Sequence, residues 1–95
     1  MPDQYARDVG YERSDGTLHQ VIDGQAMLIS PAGDEVVVLN GTGTMVWEAL
    51  ASHGDLDSLV AAVCSAHPTA DPTVVATDVE GFLDELVVAG LARVE

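Results

Sequence analysis

Four side chains in this 95-residue chain could ligate a soft metal or act as an imidazole base: His19, His53, Cys64 and His67. Cys64 and His67 are separated by two residues, which is the spacing of one half of a tetrahedral zinc site. A closed structural site needs four ligands, and the other half is missing, because His53 precedes a different helix and His19 falls on a strand. The pattern predicts a packed thiol, surface histidines and no metal or other cofactor. Asp55-Leu56-Asp57 has the spacing that opens a calcium loop, but the glycine and the distal glutamate of such a loop are absent. Two solvated carboxylates at a helix N-terminus, where the dipole favours them, account for it.

Asp57-Ser58-Leu59 has a second reading. Acyl carrier proteins are small, acidic and helical, and they carry their prosthetic arm on the Ser of an Asp-Ser-Leu at a helix start. Their long preceding loop has no counterpart here, where about four residues separate the first helix from Ser58. A carrier modified on Ser58 therefore stands as an alternative to a plain helix start. No Ser-His-Asp or Cys-His arrangement can be drawn from histidines without motif context. Asn40-Gly41-Thr42-Gly43 lacks the Lys and the glycine spacing of a phosphate-cradling loop. The remaining carboxylates are scattered, as on solvated helix faces. The chain reads as catalytically empty, a binding module and not an enzyme.

Charge narrows what it can bind. Three Lys and Arg face sixteen Asp and Glu, a formal net charge of -13, and the three cations are Arg7, Arg13 and Arg93. Binding to a nucleic acid needs cations that displace counterions from phosphates, so the charge argues against a nucleic-acid partner. An anionic membrane surface is repelled, and a basic peptide or basic protein surface is attracted. The hydrophobic fraction of 47% is globular, and with only 4% aromatics the core must be aliphatic. The single Cys64 and the lack of a signal-peptide pattern predict a reducing, cytoplasmic setting, and no apolar run is long enough to span a membrane.

The elements follow from pattern and punctuation. Residues 1–16 are polar and are expected to be a loose N-terminal arm or a frayed strand; residues 17–95 form one domain. Asp23-Gly24 between apolar-rich runs at 17–22 and 25–30 is a hairpin signal, since both central positions need positive φ. A second turn, Pro31-Ala32-Gly33-Asp34, leads into a third strand at 35–39, which places that strand at one edge of an antiparallel meander. The stretch Val36-Val37-Val38-Leu39-Asn40-Gly41-Thr42-Gly43-Thr44-Met45-Val46-Trp47 then changes period from strand to helix through a capped corner. The first helix should stop near Ser52, with Gly54 as a left-handed C-cap. Asp55 caps a second helix with Leu56, Leu59, Val60, Val63 and Cys64 on one face, ended by Pro68. Asp71-Pro72 opens a third helix over 73–89. Its apolar residues Val75, Val79, Phe82, Leu83, Leu86 and Val87 cover an arc of roughly 140°, wider than the about 100° that one core requires. Part of that helix should therefore face something other than its own core. Trp47, the only Trp, is expected to be buried.

These residues resemble a known family. The stretch from Asp23 to Leu50, with its Leu39-Asn40-Gly41-Thr42-Gly43 corner into Val46-Trp47-Glu48-Ala49-Leu50, is similar to the PqqD family, as is Phe82-Leu83-Asp84-Glu85-Leu86 leading into Ala89-Gly90-Leu91. The resemblance covers roughly residues 17–92. It implies an α+β, winged helix-turn-helix-like fold with a three-stranded antiparallel sheet followed by three helices. It also implies a RiPP recognition element, a non-catalytic peptide chaperone of the kind found in pyrroloquinoline quinone and lasso-peptide pathways. Such a domain binds the leader segment of a ribosomal precursor peptide as an added strand. It then presents the precursor to a radical SAM enzyme, a leader peptidase or a cyclase.

Carried over by position, the peptide-binding residues are Glu35, Val36, Val37, Val38 and Leu39 on the third strand and Val75, Asp78, Val79, Phe82 and Glu85 on the third helix. The residues agree: an apolar edge strand offers open backbone groups, the helix has surplus apolar arc, and the charge suits a basic leader. Three alternatives stay open at this point. Val36-Val37-Val38 could be an ordinary buried strand, Phe82 could belong to the core and not to the groove, and the apolar strand could pair with a second copy to give a homodimer. A winged-helix DNA-binding protein is the remaining rival, against which the second and third helices contain no Lys or Arg.

Overall fold

The protein is described by a computed structural model covering residues 10–94. In chain order the elements are β1 (Tyr11–Arg13), β2 (Leu18–Ile22), β3 (Gln25–Ile29), β4 (Val36–Val38), α1 (Gly41–Leu50), α2 (Leu56–Ala66), α3 (Pro72–Val88) and β5 (Ala92–Val94). The sheet order is β2-β3-β4, all antiparallel, and a separate ribbon pairs β1 with β5. This is the expected α+β arrangement of a meander followed by three helices.

Local chemistry sets each boundary. Asp23 and Gly24 have φ of 53° and 79°, as the two-residue hairpin requires. The next turn is closed by Ser30, whose hydroxyl donates to Asp34 at 2.8 Å and accepts from the Glu35 N–H at 3.2 Å. Asn40, Asp55 and Asp71 cap the three helices with side-chain oxygens that accept from the N–H groups of Gly43, Ser58 and Thr73. Thr44, in the first turn of α1, is buried, and its hydroxyl accepts from the Ala26 N–H at 2.8 Å. That bond locks the sheet to α1 where the β3–β4 ladder ends. The core is aliphatic around one ring: Leu28, Val46, Trp47, Leu59, Leu83 and Leu91 are all fully buried.

Of the loose arm or frayed strand expected over 1–16, a strand forms in the second half: Tyr11–Arg13 is paired with Ala92–Val94, and Tyr11 is 7% exposed. The strand forms because Tyr11 reaches the core and because Arg13 caps α1. Its Nε and Nη2 donate to the Trp47 carbonyl at 3.2 and 2.6 Å, and its guanidinium lies 4.4 Å from the Trp47 ring centroid. Residues 1–9 of the expected arm lie outside the described residues. Gly54 is not a left-handed C-cap, since positive φ among the described glycines is confined to Gly16, Gly24, Gly33 and Gly90. α1 ends at Leu50 with Ala51 as a right-handed cap. Gly54 is needed for close approach instead: a Cβ there would sit 2.6 Å from the Tyr11 carbonyl oxygen, and the Tyr11 N–H donates to the Gly54 carbonyl at 2.8 Å. A left-handed glycine does follow α3: Gly90, at φ 80°.

Candidate functional site

β4 lies at the edge of its sheet, and its flanking hydrogen bonds fix which way its backbone faces. Ser30 N–H donates to the Glu35 carbonyl at 3.0 Å, and Leu39 N–H to the Ala26 carbonyl at 2.8 Å. Bonded pairs alternate along an antiparallel ladder, so Leu28 and Val37, midway between, are also a bonded pair. The N–H and C=O of Val37 therefore point inward to β3. Those of Val36 and Val38 point outward, to the open edge. Side chains alternate too. Val36 and Val38 are 61% and 63% exposed, while Val37 is half-buried and Leu39 is buried. The alternative of an ordinary buried strand does not hold for Val36 and Val38: a strand covered on one face buries only every second side chain. Val36 and Val38 share the outer face of the sheet with their cross-strand partners Ile29 and Met27, and Leu18 lies opposite Ile29.

A groove runs between this edge and α3. Its middle, about 380 Å³, is lined by Val37, Val38, Leu39, Phe82, Glu85 and Leu86 among others. At the Asn40 end lies a larger hollow of about 570 Å³ between the starts of α1 and α3, with Val75, Asp78, Val79 and Phe82 on its α3 wall. At the other end Glu35 meets Asp84, Glu85 and Val88 around a hollow of about 350 Å³. Nine of the ten sequence-predicted residues line one or another of these hollows; Val36 lines none, its side chain being on the outer face of the sheet. Asp78 and Glu85 stand at opposite ends of the groove, two helical turns apart. Val75 and Val79 are nearly fully buried and form floor more than rim.

Phe82 is half-buried and is shared by the large hollow and the middle of the groove. It packs against the core cluster on one side, so groove and core are both part of its surroundings. Gly43 allows it to sit there: a Cβ at that position would come within 3.3 Å of the Phe82 ring and of Asn40 Oδ1. The Leu39-Asn40-Gly41-Thr42-Gly43 corner thereby serves the groove as well as the helix start. Asp84 is a residue that the pattern alone did not assign to the groove. It faces both Glu35 and the Tyr11 phenol, whose pKa is raised by burial first and then by the Asp84 and Glu80 carboxylates.

The other candidates are dispersed. His19 stacks edge-on against Trp47, with ring centroids 5.9 Å apart. Cys64 is a half-buried free thiol. Among the described residues no three His, Cys, Asp or Glu side chains are placed to hold a metal ion, and no helix is long and apolar enough to cross a membrane. Ser58 sits in the first turn of α2, its N–H donated to Asp55.

Fold and site together define a winged-helix-like α+β domain that keeps one sheet edge open beside its last helix. The chain belongs to the PqqD family: residues 25–92 match the family of coenzyme PQQ synthesis protein D. The same fold occurs in the solved structure of TbiB1 in complex with the TbiA(beta) leader peptide, at 23% identity and a TM-score of 0.79 over 86% of this chain and 94% of that one. Among curated proteins no match to the chain was found.

Proposed function

We propose that this chain is a non-catalytic RiPP recognition element. It binds the leader segment of a ribosomally made precursor peptide by strand addition to β4 and presents it, in the cytoplasm, to a radical SAM enzyme, a leader peptidase or a cyclase of the same pathway. The observation that carries the reading is the outward-facing backbone of Val36 and Val38 beside an apolar groove walled by α3. Backbone bonds along such an edge align a peptide, and side-chain hollows select it. Membership of the PqqD family supports the reading, and so does a fold shared with a protein solved on a leader peptide. Added strands and homodimers would compete for the same edge, so leader binding should disfavour self-association through β4.

Two measurements test it. With the leader of the precursor encoded in the same cluster, Phe82→Ala should weaken binding by roughly 1–3 kcal/mol, the range of an interface anchor, by titration calorimetry with folding checked by circular dichroism. A folded variant that binds as tightly as the parent would sink the groove assignment. Affinity should also fall as salt rises, mainly through a slower on-rate, because a chain of net charge -13 attracts a basic peptide. A flat salt profile would remove electrostatics from recognition.

A further inference from the structure

The groove changes chemistry along its length. At the Asn40 end its floor is Val46, Val63, Val75, Val79 and Phe82, and its hollow is the largest. The middle is mostly aliphatic and also touches Asn40, Phe82 and Glu85. The far end brings three carboxylates, Glu35, Asp84 and Glu85, around Val88, which is 89% exposed. Both salt bridges among the described residues are made by Arg93, and Arg13 is held over Trp47. The three carboxylates have no salt-bridge partner within the described residues.

Carboxylates alone would be ordinary solvated surface. Here they stand at one end of an edge strand whose backbone is open to a peptide, and the ladder fixes the spacing. The existing pairings of this sheet are antiparallel, which is also the slightly more stable pairing. A peptide added in that sense runs against β4, with its N-terminal side at Asn40. Its residues bonded to Val38 and Val36 turn their side chains to the outer face of the sheet. The residues opposite Leu39, Val37 and Glu35 turn theirs toward α3. These are positions i, i+2 and i+4 of the peptide; the first stands by Asn40 and Phe82, where the large hollow adjoins the middle, the second lies over the middle and the third at the carboxylate end.

We infer, resting on the strand-addition reading, that the leader taken by this chain carries a bulky apolar residue, an aliphatic residue two positions later and a Lys or Arg four positions later. The order gives direction as well as composition. A peptide with the cation first would set it over an apolar floor beside the single carboxylate of Asp78, and would leave the bulky side chain among three carboxylates.

The test is an mRNA-display selection of random peptides against the parent domain and against Glu35→Lys/Glu85→Lys, each confirmed as folded by circular dichroism. The parent should enrich extended peptides with Lys or Arg four positions after the bulky residue. The double variant should shift that one position to Asp or Glu and leave the apolar positions unchanged. Asp84→Lys provides a second charge reversal if the double variant does not fold. Apolar enrichment with no positional preference for a cation, or a variant that selects the parent's peptides unchanged, overturns the inference and leaves the strand-addition reading standing. No enriched extended pattern in the parent overturns both.

Discussion

Trp47→Ala should destabilise the domain by about 3–5 kcal/mol, the range for removing a large buried ring. A domain of this size has only about 5–15 kcal/mol in all. Trp47 is 0% exposed and is the largest of the fully buried side chains. Its ring also supports two groups from distant parts of the chain. The Arg13 guanidinium lies on one face at 4.4 Å, and His19 meets it edge-on. Truncation therefore leaves a cavity and takes away the surface under a partly buried cation, whose pKa is already lowered by burial and only partly restored by Glu48. The hydrogen bonds from Arg13 go to the Trp47 carbonyl and survive any substitution of the side chain. Trp47→Phe should therefore cost much less than Trp47→Ala. The indole Nε1 is buried without a hydrogen-bond partner among the described residues, so Phe loses no bond there. Urea unfolding followed by circular dichroism measures both variants. Equal losses for Phe and Ala would contradict a packing role.

Proline at successive positions of β4 should give opposite results. Val37→Pro removes an inward donor and leaves the Leu28 carbonyl unpaired, a loss of about 1–3 kcal/mol for the buried acceptor alone, with steric strain in addition. The domain should lose much of its stability. Val36→Pro removes an outward donor that no other strand uses, so the fold should persist while leader affinity drops by at least about 1 kcal/mol. Circular dichroism and titration calorimetry on the pair decide the parity. If Val36→Pro unfolds the domain and Val37→Pro does not, the edge has been read one residue out of register.

The sequence made the meander, the three caps and the strand-to-helix corner visible because each is a local signal: Asp-Gly for the hairpin, Asn40, Asp55 and Asp71 for the helices. The surplus apolar arc of α3 likewise pointed to a groove, because Val75, Val79 and Phe82 are spaced on one helix. What stayed hidden is long-range. β1 reads Tyr-Glu-Arg, with no alternation to mark it, and its partner Ala92–Val94 lies at the other end of the domain. Gly54 looked like a helix stop because nothing near it in sequence reveals that Tyr11 must pass within contact of it. Whether Val36 and Val38 are buried stayed open because a run of valines does not say that only one face of the strand is covered. The carboxylate end of the groove needs Glu35 and Asp84 together, and they meet only once α3 has folded back across β4.

An edge that must stay open to accept one chain is equally open to every copy of itself. Proteins often guard such edges with a proline, a bulge or an inward-pointing charge, any of which would spoil β4 as a docking strand. Here the outer face carries Leu18, Ile22, Val36 and Val38 in the open beside an unpaired ladder, a combination that invites polymerisation. The excess of thirteen negative charges is a safeguard of a different kind, because it holds copies apart at a distance without occupying a single backbone group. The safeguard is soluble in acid, so to speak: once the carboxylates are protonated the repulsion disappears while the ladder remains unpaired. The domain should therefore stay dispersed near neutral pH, and acidification is the condition under which it should convert to strand-linked aggregates, a change that light scattering across a pH series measures.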